Sequence, residues 1–362
     1  MVENSNSEQI SVAEFISVIV YLAEKSGNII REVYRSKDIG QEEKDFGQGP
    51  VTIADLRVQR NIEYNLKQLY PTLNVQGEED PATYAHFPPT IAPADITKTL
   101  ISQDFLNSFH AKRAPYLDQL RKVYSESSPD ATVFDKFDVK DAVVWIDPLD
   151  GTSDFVKGNL PAVTVLIGLS IKGHSRIGVV HNPFGDEDQS KGRTLFGTIE
   201  HGLFRIEYDE EVKDREAYLS REIKYIEPFN FTDSPPEDHS FTVAASLSHF
   251  SAQMKSIIES IHPVSIKRIG GAGNKCANVA LGVVDTYMHP TAGLKYWDLC
   301  ASEILIKAMG GYTTNVFEER LTYPADGDRQ LQGLIIARNP QYHGMIVRRL
   351  APLMQGIRAF FR

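Results

Sequence analysis

Residues 141–155 read DAVVWIDPLDGTSDF. An apolar, largely β-forming run stops at two aspartates three positions apart, with a glycine and a threonine straight after. The run predicts a strand. Asp-Pro and Asp-Gly are ordinary turn formers, so Asp147 and Asp150 alone fit a plain strand end as well as a site. Other carboxylates fall in similar places. Asp55 lies in the first turn of a predicted helix, Glu78 follows a predicted strand, and Asp298 opens a helix after Tyr296-Trp297. Each has an everyday explanation as a cap, a loop charge or a helix-dipole partner. Together, five carboxylates at element ends supply the oxygen ligands that a hard cation such as Mg²⁺ takes.

Composition narrows the classes. A chain of 362 residues with 42% hydrophobic content can fill two packed domains or one large one. The net charge of -10, without a block of lysine and arginine, argues against nucleic acid polymers and anionic membrane surfaces as partners. A small anionic substrate stays compatible where metal ions reverse the local sign. Two cysteines, Cys276 and Cys300, give neither a disulfide framework nor zinc spacing, which suits a reducing cytosol. The first residues carry no basic leader with an apolar block and cleavage site, and the apolar stretch at 16–23 is too short to span a bilayer. A soluble, cytoplasmic protein is expected.

Helical spacing predicts one amphipathic helix over 11–35 and a second from Thr52, whose Thr52-x-x-Asp55 has capping-box spacing. Between them GQEEKDFGQGP, 40–50, predicts a mobile loop in which Lys44 is a solvated lysine rather than a group that closes over phosphate. A short strand over 73–76 precedes Gly77-Glu78-Glu79. The stretch 81–140 says least, with a helix expected around 116–124. Antiparallel hairpins are predicted for 163–171, 176–180, 195–199 and 202–206. The charged, proline-containing segment 207–240 marks a boundary, dividing an N-terminal α+β domain (1–206) from a C-terminal α/β domain (207–362). Beyond it, strands and helices alternate through 241–316, the sign of an α/β layer arrangement.

Gly77-Glu78-Glu79, Asp147-Pro148-Leu149-Asp150-Gly151-Thr152 and Trp297-Asp298, in this order, resemble the signature blocks of the lithium-sensitive, Mg²⁺-dependent phosphatases of the inositol monophosphatase superfamily. Within it, VVWIDPLDGT, VTVLIGLS, GRTLFG, RIGGAGNK (268–275) and KYWD are most similar to the 3'(2'),5'-bisphosphate nucleotidases. The resemblance implies an αβαβα sandwich of helical and sheet layers. It also implies metal ligation by Asp55, Glu78, Asp147, Asp150, Asp298 and the Leu149 carbonyl, holding two or three Mg²⁺ ions. Glu78 would orient the attacking water, the Thr152 hydroxyl paired with Asp55 would help deprotonate it, and the N–H groups of Gly151 and Thr152 would cradle phosphate. Ser246, His249, Gly271, Lys275 and Thr291 would contact the rest of the substrate, Lys275 pairing with the phosphate that is not cleaved.

The implied reaction is removal of the 3'-phosphate of 3'-phosphoadenosine 5'-phosphate, with inositol 1,4-bisphosphate as a further substrate and Li⁺ as inhibitor. An inositol polyphosphate 1-phosphatase or inositol monophosphatase is the rival within the enzyme class, and an inactive scaffold of the same fold is the rival outside it. A nucleotide-triphosphate loop is excluded because Cys276 follows Lys275 where Ser or Thr is required. A single Trp-Asp without a repeat excludes a propeller module.

Overall fold

A computed structural model describes residues 8–44, 49–80, 82, 134–185, 192–208, 222–229 and 240–361. The helix expected around 116–124 lies outside them. In chain order the elements begin with β1 (Gln9–Ser11), α1 (Val12–Ser36), β2 (Glu42–Glu43), β3 (Pro50–Val51), α2 (Ile53–Leu69) and β4 (Asn74–Gly77). Next come β5 (Lys136–Asp138), β6 (Ala142–Asp150), α3 (Thr152–Val156), β7 (Thr164–Ile171), β8 (His174–Asn182), β9 (Gly192–Thr198), β10 (Gly202–Tyr208) and β11 (Lys224–Ile226). The second half holds β12 (Thr242–Ser246), α4 (Ala252–Ser260), β13 (Ser265–Ile269), α5 (Ala272–Ala280), β14 (Thr286–His289) and α6 (Tyr296–Ala308). It ends with β15 (Tyr312–Thr314), β16 (Leu334–Ala337), α7 (Pro340–Leu350) and α8 (Met354–Arg358).

Two sheets carry the architecture. The seven-stranded one runs β11-β10-β9-β8-β7-β6-β4, and the five-stranded one runs β13-β12-β14-β16-β15. Strand β11 lies within the segment 207–240 expected to separate the halves, and it adds an edge strand to the first sheet. Three buried clusters show the layering. Alternate residues of β6 face opposite ways: Val144 and Ile146 join α1 and α2 in one cluster, while Val143 and Trp145 join α5 and α6 in another. A third cluster lies between the far face of the five-stranded sheet and helices α4 and α7. The order is α1/α2, sheet, α5/α6, sheet, α4/α7, the αβαβα sandwich that the resemblance implied.

Strand β6 is buried along its whole length, which is why its sequence reads as a continuous apolar run rather than an alternating one. Helix α6 lies close on β7 and β8 at a glycine pair, Gly168 opposite Gly178. A Cβ on Gly178 would sit 2.1 Å from the Ala301 carbonyl oxygen, so no other residue fits beneath that helix.

The loop expected over 40–50 contains a two-stranded hairpin, Glu42 opposite Val51 and Glu43 opposite Pro50. The polar, glycine-rich composition hid it because its partner is the chain just before α2. Strand β16 and helices α7 and α8 also lay outside the sequence reading. No helix among the described residues is long and apolar enough to cross a membrane.

Candidate metal-dependent active site

Strands β4 and β6 are parallel neighbours with Gly77 opposite Ile146. The Glu78 N–H continues the ladder by donating to the Ile146 carbonyl at 3.0 Å. The register thus sets Glu78 beside Asp147 at one sheet edge. Asp147 and Asp150 would point to opposite faces in a regular strand, because the side-chain period is two. Here the pairing with β7 shifts between Asp147, opposite Leu166, and Asp150, opposite Thr164. One extra residue on β6 makes a bulge, and it turns both aspartates to the same side. Pro148, which has no N–H to give a ladder, sits in it.

Oxygens of Asp147, Asp150 and Asp298 lie within 4.8 Å of one another. Asp298 comes from the first turn of α6, where it accepts the Lys295 N–H at 2.6 Å. Asp150 is fixed from the other lobe. It accepts the N–H groups of Ala272 and Gly273 at the start of α5, each at 2.8 Å, and the Thr164 hydroxyl at 2.8 Å. The Asp147 carboxylate accepts the Leu149 N–H at 3.1 Å.

Asp55 and Thr152 meet as the resemblance implied. Asp55 caps α2 by accepting the Thr52 N–H at 2.8 Å. Its other oxygen accepts the Thr152 hydroxyl at 3.1 Å, and that hydroxyl also lies 2.9 Å from the Leu149 carbonyl. The cap and the site role expected of Asp55 are thus compatible, one oxygen serving each. Gly151 precedes α3 with φ +88°, a conformation that favours glycine.

Lys44 differs from its expected role. Its side chain is only 8% exposed, and Nζ pairs with Glu78 and Glu79, each at 2.6 Å. The β2–β3 hairpin delivers this ammonium to the end of β4, a placement that the local sequence of the loop does not signal. Glu79 is held in turn by Gln59, whose amide nitrogen donates to the Glu79 carbonyl at 2.6 Å.

The electrostatics are those of crowded like charges. Burial, then Glu78, Asp150 and Asp298, raise Asp147 well above the usual carboxylate range. Burial and Glu78 push Asp298 up to about 8. Burial and Glu78 likewise push Glu79 to about 8, and burial puts Asp55 at about 6 against the opposing pull of Lys44. Burial works against the charge on Lys44, yet Glu78 and Glu79 hold its pKa above the ordinary lysine value. Oxygen-only donors, buried and short of positive charge, suit a hard divalent cation.

The glycine-rich segment serves the same centre. A Cβ on Gly271 would lie 2.3 Å from the Ala162 carbonyl oxygen and 2.9 Å from Asp150 Oδ2, so its glycine lets the loop seat on the β6 bulge. Lys275 is buried and donates to the Gly271 carbonyl at 2.6 Å. Ser246 ends β12 and its hydroxyl accepts the N–H of exposed His249 at 3.1 Å. Thr291 lies beyond β14, its hydroxyl 3.4 Å from His289 Nε2.

The inositol monophosphatase family profile matches residues 11–355. The chain belongs to the inositol monophosphatase family. A Dictyostelium discoideum protein named 3'(2'),5'-bisphosphate nucleotidase 1 is 29% identical, covering 91% of this chain and 94% of its own. The mouse protein of the same name is 27% identical over 89% of this chain and 90% of its own. Among solved structures, the extragenic suppressor protein suhB of Bartonella henselae superposes with a TM-score of 0.60 at 17% identity, covering 93% of this chain and 98% of that one. The last likeness concerns the fold; the first two extend along nearly the whole chain.

Proposed function

We propose that this family member is a Mg²⁺-dependent phosphomonoesterase that removes the 3'-phosphate of 3'-phosphoadenosine 5'-phosphate, leaving AMP and phosphate. The observation that carries the reading is the meeting of Asp147, Asp150 and Asp298 within 4.8 Å. The Thr152–Asp55 hydroxyl–carboxylate pair joins them through its contact with the Leu149 carbonyl. The relatives named for bisphosphate nucleotides support the substrate.

A phosphate monoester is a dianion that repels hydroxide, so charge neutralisation is the main task. Asp147, Asp150, Asp298 and Glu78 would hold Mg²⁺, which when bound would supply that neutralisation and acidify water in the site. The chain's own groups do the rest. Thr152 takes a proton from the attacking water and passes its own to Asp55, whose carboxylate already accepts that hydroxyl's hydrogen bond. Glu78 orients that water. Lys275, on α5 and anchored to the Gly271 carbonyl, presents positive charge to the phosphate that stays. Li⁺ would inhibit by competing for the same carboxylates. The two buried, unpaired cysteines suit a reducing, cytosolic setting.

The test is phosphate release with Mg²⁺ from 3'-phosphoadenosine 5'-phosphate, inositol 1,4-bisphosphate and inositol 1-phosphate at equal concentration. Preference for the nucleotide is expected. Preference for an inositol phosphate keeps the metal chemistry and removes the nucleotide reading.

A further inference from the structure

Along β14 the side chains alternate between two buried layers. Met288 packs into the cluster shared with α4 and α7, and Tyr287 into the cluster shared with α5 and α6. His289, two residues after Tyr287, belongs to the Tyr287 face. That face points at α5, where Lys275 Nζ stands 5.0 Å over the Tyr287 ring. Strands β12, β13 and β14 are parallel, so Ser246, the glycine loop and His289 all lie at carboxyl ends. In open α/β sheets that edge is where ligands bind.

His289 is 7% exposed, and its Nδ1 is a buried polar atom without a hydrogen-bond partner among the described residues. Its Nε2 lies 3.4 Å from the Ala292 carbonyl, which can only accept, and 3.4 Å from the Thr291 hydroxyl, which can accept as well as donate. With Nε2 carrying the proton, Nδ1 is left as a lone-pair acceptor. Burial lowers its pKa to about 4, so the ring is neutral and Nδ1 carries a buried lone pair without a donor. A buried acceptor left unmet costs stability, which a ligand donor restores.

We infer that His289 is a specificity residue that accepts, through Nδ1, a hydrogen bond from the exocyclic amino group of an adenine base. The inference rests on the nucleotide reading above. That amine is the only N–H donor on adenine in a nucleotide, and the base is the part of the substrate farthest from the reacting phosphate.

The experiment compares kcat/KM for the 3',5'-bisphosphates of adenosine and inosine, which differ at that amine, in the wild type, His289→Phe and His289→Asn, with thermal unfolding of each. The wild type should prefer adenosine by about tenfold, the worth of one buried hydrogen bond. The preference should vanish in His289→Phe and survive in part in His289→Asn, whose amide oxygen can accept where Nδ1 does. Equal use of the two nucleotides by the wild type, or an undiminished preference in folded His289→Phe, overturns the inference and leaves the nucleotidase reading standing. If His289→Phe fails to fold, loss of the preference in His289→Asn below that of its near-isosteric parent supports the role, and no change overturns it. A wild type that cleaves only inositol phosphates overturns both readings at once.

Discussion

Raising the pH of the metal-free protein should destabilise it, against the usual behaviour of carboxylates. Most native carboxyl groups are stabilised in their charged form, so they favour folding as pH rises. Here Asp298 and Glu79 are pushed up to about 8, against ordinary values near 4. Between those limits the folded protein holds protons that the unfolded chain has released. Stability is then fully present at low pH and falls, by about 1.4 kcal/mol per pH unit for each such group, as pH approaches 8. Two histidines work the other way: burial lowers His289 and His343 to about 4. Their contribution rises up to the unfolded histidine value of about 6.5 and is flat beyond it. The carboxyl effect therefore stands alone from pH 6.5 to 8.

Over that window Asp298 and Glu79 at full size would reach about 4 kcal/mol, and solvent screening at half-buried Asp298 brings their loss to about 2 to 3 kcal/mol, to which Asp147 adds in the same direction. Urea unfolding with a chelator at constant ionic strength measures it. Saturating Mg²⁺ should reverse the slope, because the metal binds the deprotonated carboxylates of the folded state alone. Asp298→Asn, which mimics the protonated side chain, should remove about half of the metal-free loss. A metal-free wild type that gains stability across the window, or an Asp298→Asn slope equal to its parent's, would falsify the account of a proton-sharing carboxylate cluster.

Four substitutions probe the site and its support. Asp147→Asn should abolish Mg²⁺-dependent phosphate release while the circular dichroism spectrum stays native; near-normal turnover would remove Asp147 from the metal site. Thr152→Ala should lower kcat by about 10²- to 10⁴-fold with the half-saturating Mg²⁺ concentration little changed, and a large shift in that concentration would give Thr152 a metal-binding role instead. Lys44→Met leaves Glu78 and Glu79 without their shared partner, so the metal-free protein should lose about 3 kcal/mol in urea, with most of the loss recovered by Mg²⁺. Gly178→Ala drives a methyl to 2.1 Å from the Ala301 carbonyl oxygen, so Tm should fall steeply, by about 3 kcal/mol of stability, and wild-type stability would mean α6 sits farther from the sheet.

The sequence was most legible where one segment decides its own fate. The β6 run, the Thr52–Asp55 cap and the apolar face of α1 state their structure locally. The acidic blocks were legible as chemistry, but their meeting depends on a register: Gly77 opposite Ile146 is a pairing across nearly seventy residues, and no local pattern encodes it. The bulge that aligns Asp147 with Asp150 was half-written in Pro148, which cannot serve a regular ladder. Strand β16 could have been suspected from LIIA, and α7 from Asn339-Pro340, a cap residue followed by proline at the first helical position. Lys44 was read as solvated because glycines and charges surround it; burial came from the end of a strand more than thirty residues away.

Lys44 also shows how a site built for metal can fold before any metal arrives. Five acidic side chains at one edge cannot all be charged in a buried, low-dielectric space without compensation. Three devices share that load here. Protons remain on Asp298 and Glu79. Backbone N–H groups and the Thr164 hydroxyl face Asp150, and an ammonium carried on a separate hairpin neutralises Glu78 while also donating to Glu79. Only the middle device can persist unchanged when a divalent cation is bound, since N–H groups occupy lone pairs that a second ligand can share. Under the proposed metal role the protons would leave, and Nζ would give up its contact with Glu78. On that reading metal affinity would be set by the cost of removing one lysine contact and the retained protons as much as by the ligands, and the β2–β3 hairpin, far from the strand ends in sequence, would help determine how much Mg²⁺ the site requires.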